Sequence, residues 1–218
     1  MPLYNPVGDD GWFTSSDTWL WSSANSFTIT GVNRTTQLTK GTRISWNDGT
    51  VQYGVVGAVT FSTNTTVTLI ANNTYAIGNT TLTAPRYSYA ANPQGYPTWF
   101  AWTPTLGNYS TPPSNTLYRF RVVGSECFIV MREATLGVSA NGSAKTYSLP
   151  VNALTVTNAF WAGPAGVVDN NIVSTTLGLA YISSGATSLS VYVNPSTLSA
   201  WTTSGNARVS TASIAYQF

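Results

Sequence analysis

Hydrophobic and polar residues alternate in short runs along most of the chain, and the runs end at glycine, asparagine or proline. Phe27 and Ile29 alternate with Thr28 and Thr30 before Gly31 stops the run. Ile44 and Trp46 alternate with Arg43 and Ser45, and Asn47-Asp48-Gly49 then predicts a hairpin, because Asp-Gly tolerates the positive φ such turns demand. Val51, Tyr53 and Val55 carry the inward face onto the returning strand, and residues 58–61 and 67–71 supply two more strands. Residues 32–38 predict a single helical turn with Asn33 as its cap. Elsewhere no window shows sustained apolar recurrence three and four residues apart. Such short, closely spaced strands predict a small β-barrel of the SH3-like or OB-like kind over residues 1–84.

After residue 113 the strands lengthen. Tyr118, Phe120 and Val122 alternate with Arg119, Arg121 and Val123; Gly124-Ser125 turns, and residues 126–132 run back with apolar side chains on both faces. Further strands are predicted at 146–149, 153–161, 172–182, 189–193 and 208–218, with turns at Gly163-Pro164, Gly185, Asn194-Pro195 and Gly205-Asn206 between them. Residues 114–218 therefore read as a β-sandwich, jelly-roll-like, and the whole chain as all-β.

Residues 85–113 interrupt this pattern. They hold six of the 11 prolines (Pro85, Pro93, Pro97, Pro104, Pro112, Pro113) beside Tyr96, Trp99, Phe100, Trp102 and Tyr109. Proline removes a backbone donor and fixes φ, which argues against a helix or a central strand. Leaving so many large rings in water would forgo roughly 1.5–3 kcal/mol each. The expectation is an ordered connector whose Trp99, Phe100 and Trp102 dock on the flanking domains or on a particle.

Composition sharpens the class. Charged residues are only 7% of the chain, against about 25% in ordinary soluble domains. A surface clothed in hydroxyls and amides suits a protein packed against copies of itself, and scarce charge beside many large aromatics points to an oligomer, with a homotrimer expected. The nine basic residues form no run, and Tyr118-Arg119-Phe120-Arg121 splits its rings and guanidinium groups onto opposite strand faces, so no nucleic-acid partner is expected. No basic and apolar leader is visible at the N-terminus, and no apolar stretch approaches the ~20 residues that cross a bilayer. Neither secretion nor membrane insertion is expected. Synthesis in a host cytoplasm, assembly there and release by lysis reconcile these features, and they point to a virion.

Chemistry is sparse. The chain has no histidine, which excludes a Ser-His-Asp or Cys-His arrangement and the common zinc sites. Its carboxylates are Asp9, Asp10, Asp17, Asp48, Asp169, Glu126 and Glu133. Asp48 is accounted for by its turn, and Glu126 with Arg132 by pairing on one strand face, so the two flanking carboxylates of a glycosidase are not expected. Asp9, Asp10 and Asp17 are the one set suited to a hard cation, with no loop spacing that specifies it. The expectation is no enzyme, no cofactor and no metal. Cys127, inside Cys-Phe-Ile-Val-Met, reads as a buried thiol. Trp161, Tyr181, Tyr192 and Trp201, with Tyr216, remain as candidate glycan platforms or packing groups, since one-ended polar aromatics suit either use.

The first hundred residues resemble a segment found at the N-termini of tailed-bacteriophage and prophage structural proteins. The stretches that carry the resemblance are Gly11-Trp12, Asp17-Thr18-Trp19, Phe27-Thr28-Ile29-Thr30-Gly31, Lys40-Gly41-Thr42-Arg43-Ile44, Val51-Gln52-Tyr53, Thr65-Thr66-Val67-Thr68, Pro85-Arg86-Tyr87-Ser88 and Asn92-Pro93-Gln94-Gly95-Tyr96-Pro97. Trp102-Thr103-Pro104-Thr105, Tyr118-Arg119-Phe120-Arg121 and Ser148-Leu149-Pro150-Val151 are similar to parts of sandwich domains at the distal ends of such proteins. The resemblance implies a tail, tail-fibre or capsid-decorating protein, often trimeric, that meets other virion proteins. It brings no catalytic residue. The alternative expectation is a receptor-binding, lectin-like module for a host surface glycan, and an enzyme degrading a polysaccharide ranks below both.

Overall fold

The computed structural model describes residues 10–157, 159–196, 198 and 201–218. Every helix or strand assigned among them is a β-strand, so the all-β class stands. The chain divides into two compact units, Met1–Phe100 with Val122–Ser125, and Ala101–Arg121 with Glu126–Phe218.

The first unit is a closed barrel. Its strands are β1 (Phe13–Thr14), β2 (Trp19–Ser23), β3 (Ser26–Ile29), β4 (Arg43–Asn47), β5 (Val51–Phe61), β6 (Thr65–Leu69) and β7 (Thr81–Ser88). Pairing runs β7-β2-β3-β6-β5-β4 and returns from β4 to β7, so six antiparallel strands close on themselves while β1 lies against β7. Closure leaves no open edge among the six. The core inside holds Trp19, Phe27, Ile44, Trp46 and Val67, all at 1% exposure or less. Trp19 and Phe27 stack with centroids 4.3 Å apart.

Two strands bend to make the closure. The first half of β5 pairs with β4 and its second half with β6, with a register shift between Val56 and Ala58. What reads in sequence as two strands is thus one bulged strand, since a bulge bends the chain and increases its twist. β7 does the same, pairing with β2 through Thr81 and Leu82 and with β4 through Thr83 and residues 86–88. The partner change falls at Ala84, whose φ is 45°, and at Pro85, which has no partner in either ladder. Pro85 therefore sacrifices no ladder bond, and its carbonyl accepts from Ser15 N at 2.9 Å. The segment from Pro85 is consequently not a connector at its start: residues 85–88 complete the barrel. Residues 32–38 make the single turn expected, with Leu38 N donating to Arg34 O at 2.8 Å and Asn33 Oδ1 accepting from Thr35 N at 3.1 Å. Val51, expected inward, is 49% exposed.

The second sheet contains β8 (Phe100–Ala101), β9 (Leu106–Gly107), β10 (Tyr109–Thr111), β11 (Thr116–Val123), β12 (Glu126–Glu133), β13 (Gly137–Ser139), β14 (Lys145–Ser148), β15 (Phe160–Asp169), β16 (Ile172–Val173), β17 (Gly178–Ser183), β18 (Ser188–Tyr192) and β19 (Asn206–Gln217). They form one antiparallel sheet, curled into a half-barrel, with β19 between β12 and β15. Alternation runs along β11 and β12 and, on either side of a break at Ser210 and Thr211, along β19, so one face buries Phe120, Ile129, Met131, Val209 and Ile214 while the other turns outward.

The strand expected at 153–161 begins instead at Phe160 and runs through Gly163-Pro164, which reads as a turn in sequence. Proline is tolerated there because residues 160–164 pair with β17 alone, and the ladder to β19 starts at Ala165. The strand expected at 172–182 is split: Asn170 and Asn171, at φ 49° and 65°, fold β16 straight back on β15, and β17 starts only at Gly178. Two consecutive positive-φ residues are what the tightest hairpins require.

Gly163 sits at a close approach within this sheet. A Cβ built on it would lie 2.4 Å from the Ser213 carbonyl oxygen on β19. Gly163→Ala is expected to push β15 from β19 and to destabilise the unit by about 1–3 kcal/mol, read as a lower urea midpoint; an unchanged midpoint would contradict the packing.

Candidate functional site

The outward face of the half-barrel carries the most exposed aromatic side chain among the described residues, Phe160. Cross-strand register places Ala162 opposite Tyr181, Pro164 opposite Leu179, Leu179 opposite Tyr192, and Tyr181 opposite Ser190. On β17 and β18 the intervening residues, Ala180, Ile182, Leu189 and Val191, are fully buried, so Tyr181 and Tyr192 point away from the core. Phe160, on the same face, is 61% exposed and stacks on Tyr181 with centroids 5.6 Å apart at 27°. Thr146, Ser148, Ser188 and Ser190 continue this face across β14 and β18, and no charged side chain interrupts it between Phe160 and Gly166.

The four aromatics singled out from sequence do not form one platform. Tyr181 and Tyr192 lie outward. Trp161 has the opposite parity on β15 and meets Tyr216 edge-on at 6.4 Å on the inner face. Trp201 is 2% exposed, and its Nε1 donates to Val191 O at 2.9 Å. A buried ring with a satisfied N–H is a core group, which removes Trp201 from any surface site. Phe160, which sequence reasoning passed over, takes the exposed position.

The aromatics expected to dock are divided. Phe100 is buried in the first unit against Tyr75 and Tyr96, at 5.9 and 5.7 Å. Trp102 is buried in the second, edge-on to Tyr118 at 5.5 Å, with Nε1 donating to Ser148 O at 3.1 Å. Trp99 is half-buried. Of the rest of the expected connector, Tyr96 belongs to a cluster with Trp12 and Tyr53 in the first unit, and Tyr109 to the interior network of the second.

That network centres on Glu133, which is 1% exposed at the end of β12. Its Oε1 accepts from Tyr118 Oη at 3.0 Å and Tyr147 Oη at 2.9 Å; its Oε2 accepts from Tyr109 Oη at 3.1 Å and Val209 N at 2.6 Å. Tyr109 Oη and Tyr147 Oη are also 2.9 Å apart. These contacts include four between oxygens, and the three phenols carry three protons. With all three phenol protons directed at Glu133, the contact between Tyr109 and Tyr147 gains a proton of its own only where the carboxyl is protonated and returns one bond to a phenol. Burial pushes the Glu133 carboxyl above the ordinary carboxylate range, against the pull of its donors.

Lys145, fully buried on β14, lies beside it. Its Nζ donates to Asn108 O at 2.8 Å and Ser139 Oγ at 2.6 Å, and stands over the rings of Tyr109 and Trp201 at 5.1 and 5.3 Å. Two acceptors and two ring faces satisfy the ammonium. Neither Glu133 nor Lys145 was singled out as a site from sequence; inward parity on their strands is the signal that finds both.

Other candidates are accounted for structurally. Asp48 Oδ2 accepts from Gly78 N and Trp46 Nε1, and Asp169 accepts from Thr202 N and Oγ1. Asp17 pairs with Arg34 at 2.8 Å and Asp10 with Arg86 at 3.4 Å; Asp9 lies outside the described residues. Glu126 and Arg132 are exposed and form no ion pair among the described residues. No group of three metal-ligating side chains occurs among the described residues. Cys127 is fully buried, and burial pushes its thiol up to about 12. No protein-family model matches the chain, and no curated protein or solved structure matches it either.

The buried lysine makes stability depend on pH. Burial pushes Lys145 down to about 8, against the pull of Asp169. Between about pH 8 and the ordinary 10.5 the unfolded chain binds a proton that the folded chain lacks, so stability rises with pH there. Cys127 acts in the opposite sense above its ordinary 9, so the rise is cleanest from pH 8 to 9. It is expected to be about 1 kcal/mol in urea unfolding, since one proton is worth at most about 1.4 kcal/mol per unit. Lys145→Met is expected to abolish it; a rise that persists in this variant would assign it to another group.

Proposed function

We propose that the chain is a non-enzymatic structural component of a bacteriophage virion, a tail, fibre or head-decorating protein, that assembles as a trimer. The observation that carries this reading is the uncharged outward face of β14, β18, β17 and β15, with Phe160 exposed and stacked on Tyr181. A wide sheet face of rings, hydroxyls and small residues is suited to burial against another chain, because no charge must be desolvated there. The closed barrel of the first unit is the candidate for docking on the particle, in line with the resemblance of that half of the chain to virion proteins. The absence of histidine and the structural duties of Asp17, Asp48, Asp169 and Glu133 support a role without chemistry.

One observation favours a second reading. Tyr181 and Tyr192 share a face with Ser188 and Ser190, and rings beside hydroxyls suit a host surface glycan. Sedimentation of the purified chain separates the two. A trimer at micromolar concentration that Phe160→Asp with Tyr181→Asp reduces to monomer is the expected result. A 23.2 kDa monomer unaffected by those changes, with saturable binding on a glycan array, would favour the second reading and overturn the first.

A further inference from the structure

The barrel unit contains a cationic recess that the structural role does not use. Residues Thr39, Lys40, Gly41, Arg43, Tyr89 and Gly124 line a cavity of about 160 Å³, and all of them belong to the first unit. Thr42 completes the lining, which includes two cations and no carboxylate. The volume leaves room for a small ion with its first contacts.

Arg43 is the built element. It is 3% exposed on β4, where both strand faces are buried. Its Nη1 donates to Gly41 O at 2.9 Å and its Nη2 to Val122 O at 2.8 Å, which fix the plane of the guanidinium. Its Nε is buried and has no hydrogen-bond partner. The other arginines of known pairing in the barrel differ: Arg34 and Arg86 each meet an aspartate. A buried guanidinium held by backbone carbonyls alone keeps its full positive charge uncompensated, and burying such a charge is costly.

Backbone geometry keeps the recess open. Gly41 has φ 86°, and a Cβ on it would lie 2.6 Å from Gly124 O, so only glycine permits this approach. Gly124, at φ 59°, presents open space where a side chain would stand. Thr39 and Thr42 hydroxyls lie 3.3 Å apart, so one of their two protons is left for a ligand, while Tyr89 Oη donates to Gln37 O at 2.7 Å and lines the recess as a ring. Arg guanidinium and hydroxyl donors with a nearby ammonium make up the donor set that suits a tetrahedral oxyanion.

We propose that this recess binds one small oxyanion, a phosphate or sulfate group, with Arg43 as the principal donor and Lys40 as the second charge. Burial lowers the proton affinity of both cations, and a bound anion offsets that effect.

The test is calorimetric titration of the intact chain with inorganic phosphate, sulfate and glycerol phosphate, against sodium chloride at matched ionic strength. One phosphate or sulfate per chain is expected to bind saturably. Arg43→Gln is expected to weaken binding at least tenfold and Lys40→Ala at least threefold. Lys40 is exposed, so its replacement reads the charge without disturbing the core even if Arg43→Gln does not fold. Equal binding of glycerol phosphate would show that the group can be carried on a larger ligand; binding of the free ions alone would restrict the site to them, and either result upholds it. Heat that chloride reproduces, or binding that Lys40→Ala leaves unchanged, overturns the proposal.

Discussion

The second unit is organised around one buried carboxyl. Glu133 on β12 gathers hydroxyls from β10, β11 and β14 and a backbone N–H from β19, so five strands meet at its two oxygens. A curled sheet has no second layer to hold its two ends together, and apolar contact alone is non-directional. Hydrogen bonds of fixed length to one group specify how far the sheet curls. The cost of such a network is that losing any member strands the others, because an unpaired buried polar group forfeits about 1–3 kcal/mol. Lys145 extends the same logic on the next residue pair of β14, held by Asn108 and Ser139 between two aromatic faces.

The inner face is committed to that network and to the apolar core. The outward face presents rings and hydroxyls instead of charge, while the arginines of β11 lie on other strands, Arg121 covering the Phe128 ring at 4.9 Å. The barrel has its own division of labour. Its interior is aromatic and aliphatic, and its one deeply buried guanidinium belongs to a residue that lines a recess and is held by carbonyl oxygens.

Strands with one dry face were legible in the sequence. β3, β11 and β12 alternate because each second residue meets the core, and β19 does so on either side of a break at Ser210 and Thr211. β4 was legible as a strand but not in its burial, since Arg43 and Ser45 are as hidden as Ile44 and Trp46. β7 and β15 were obscured by proline, and both carry it at a point where one ladder is interrupted, which depends on partners remote in sequence. The candidate aromatics could not be sorted by type. Strand parity sorts them, and parity was lost once Phe160 and Trp161 were placed at the end of a strand when they begin one. The Glu133 network joins residues 14 to 76 positions apart and exists only once the sheet has curled. Its one sequence trace is a glutamate in phase with Cys127, Ile129 and Met131.

The central claim is that Glu133 is held as a neutral carboxyl whose proton closes the ring with Tyr147 and Tyr109. The chain has two glutamates, Glu126 and Glu133, and the first is exposed. Carbon-13 labelling of glutamate side chains therefore gives two carboxyl signals, with Glu126 as the internal reference. The account predicts that the Glu133 signal keeps its protonated position at pH values above the ordinary carboxylate range. Titration of that signal within or below the ordinary range would show an ionised carboxylate held by its donors and would contradict the proton count on which the network rests.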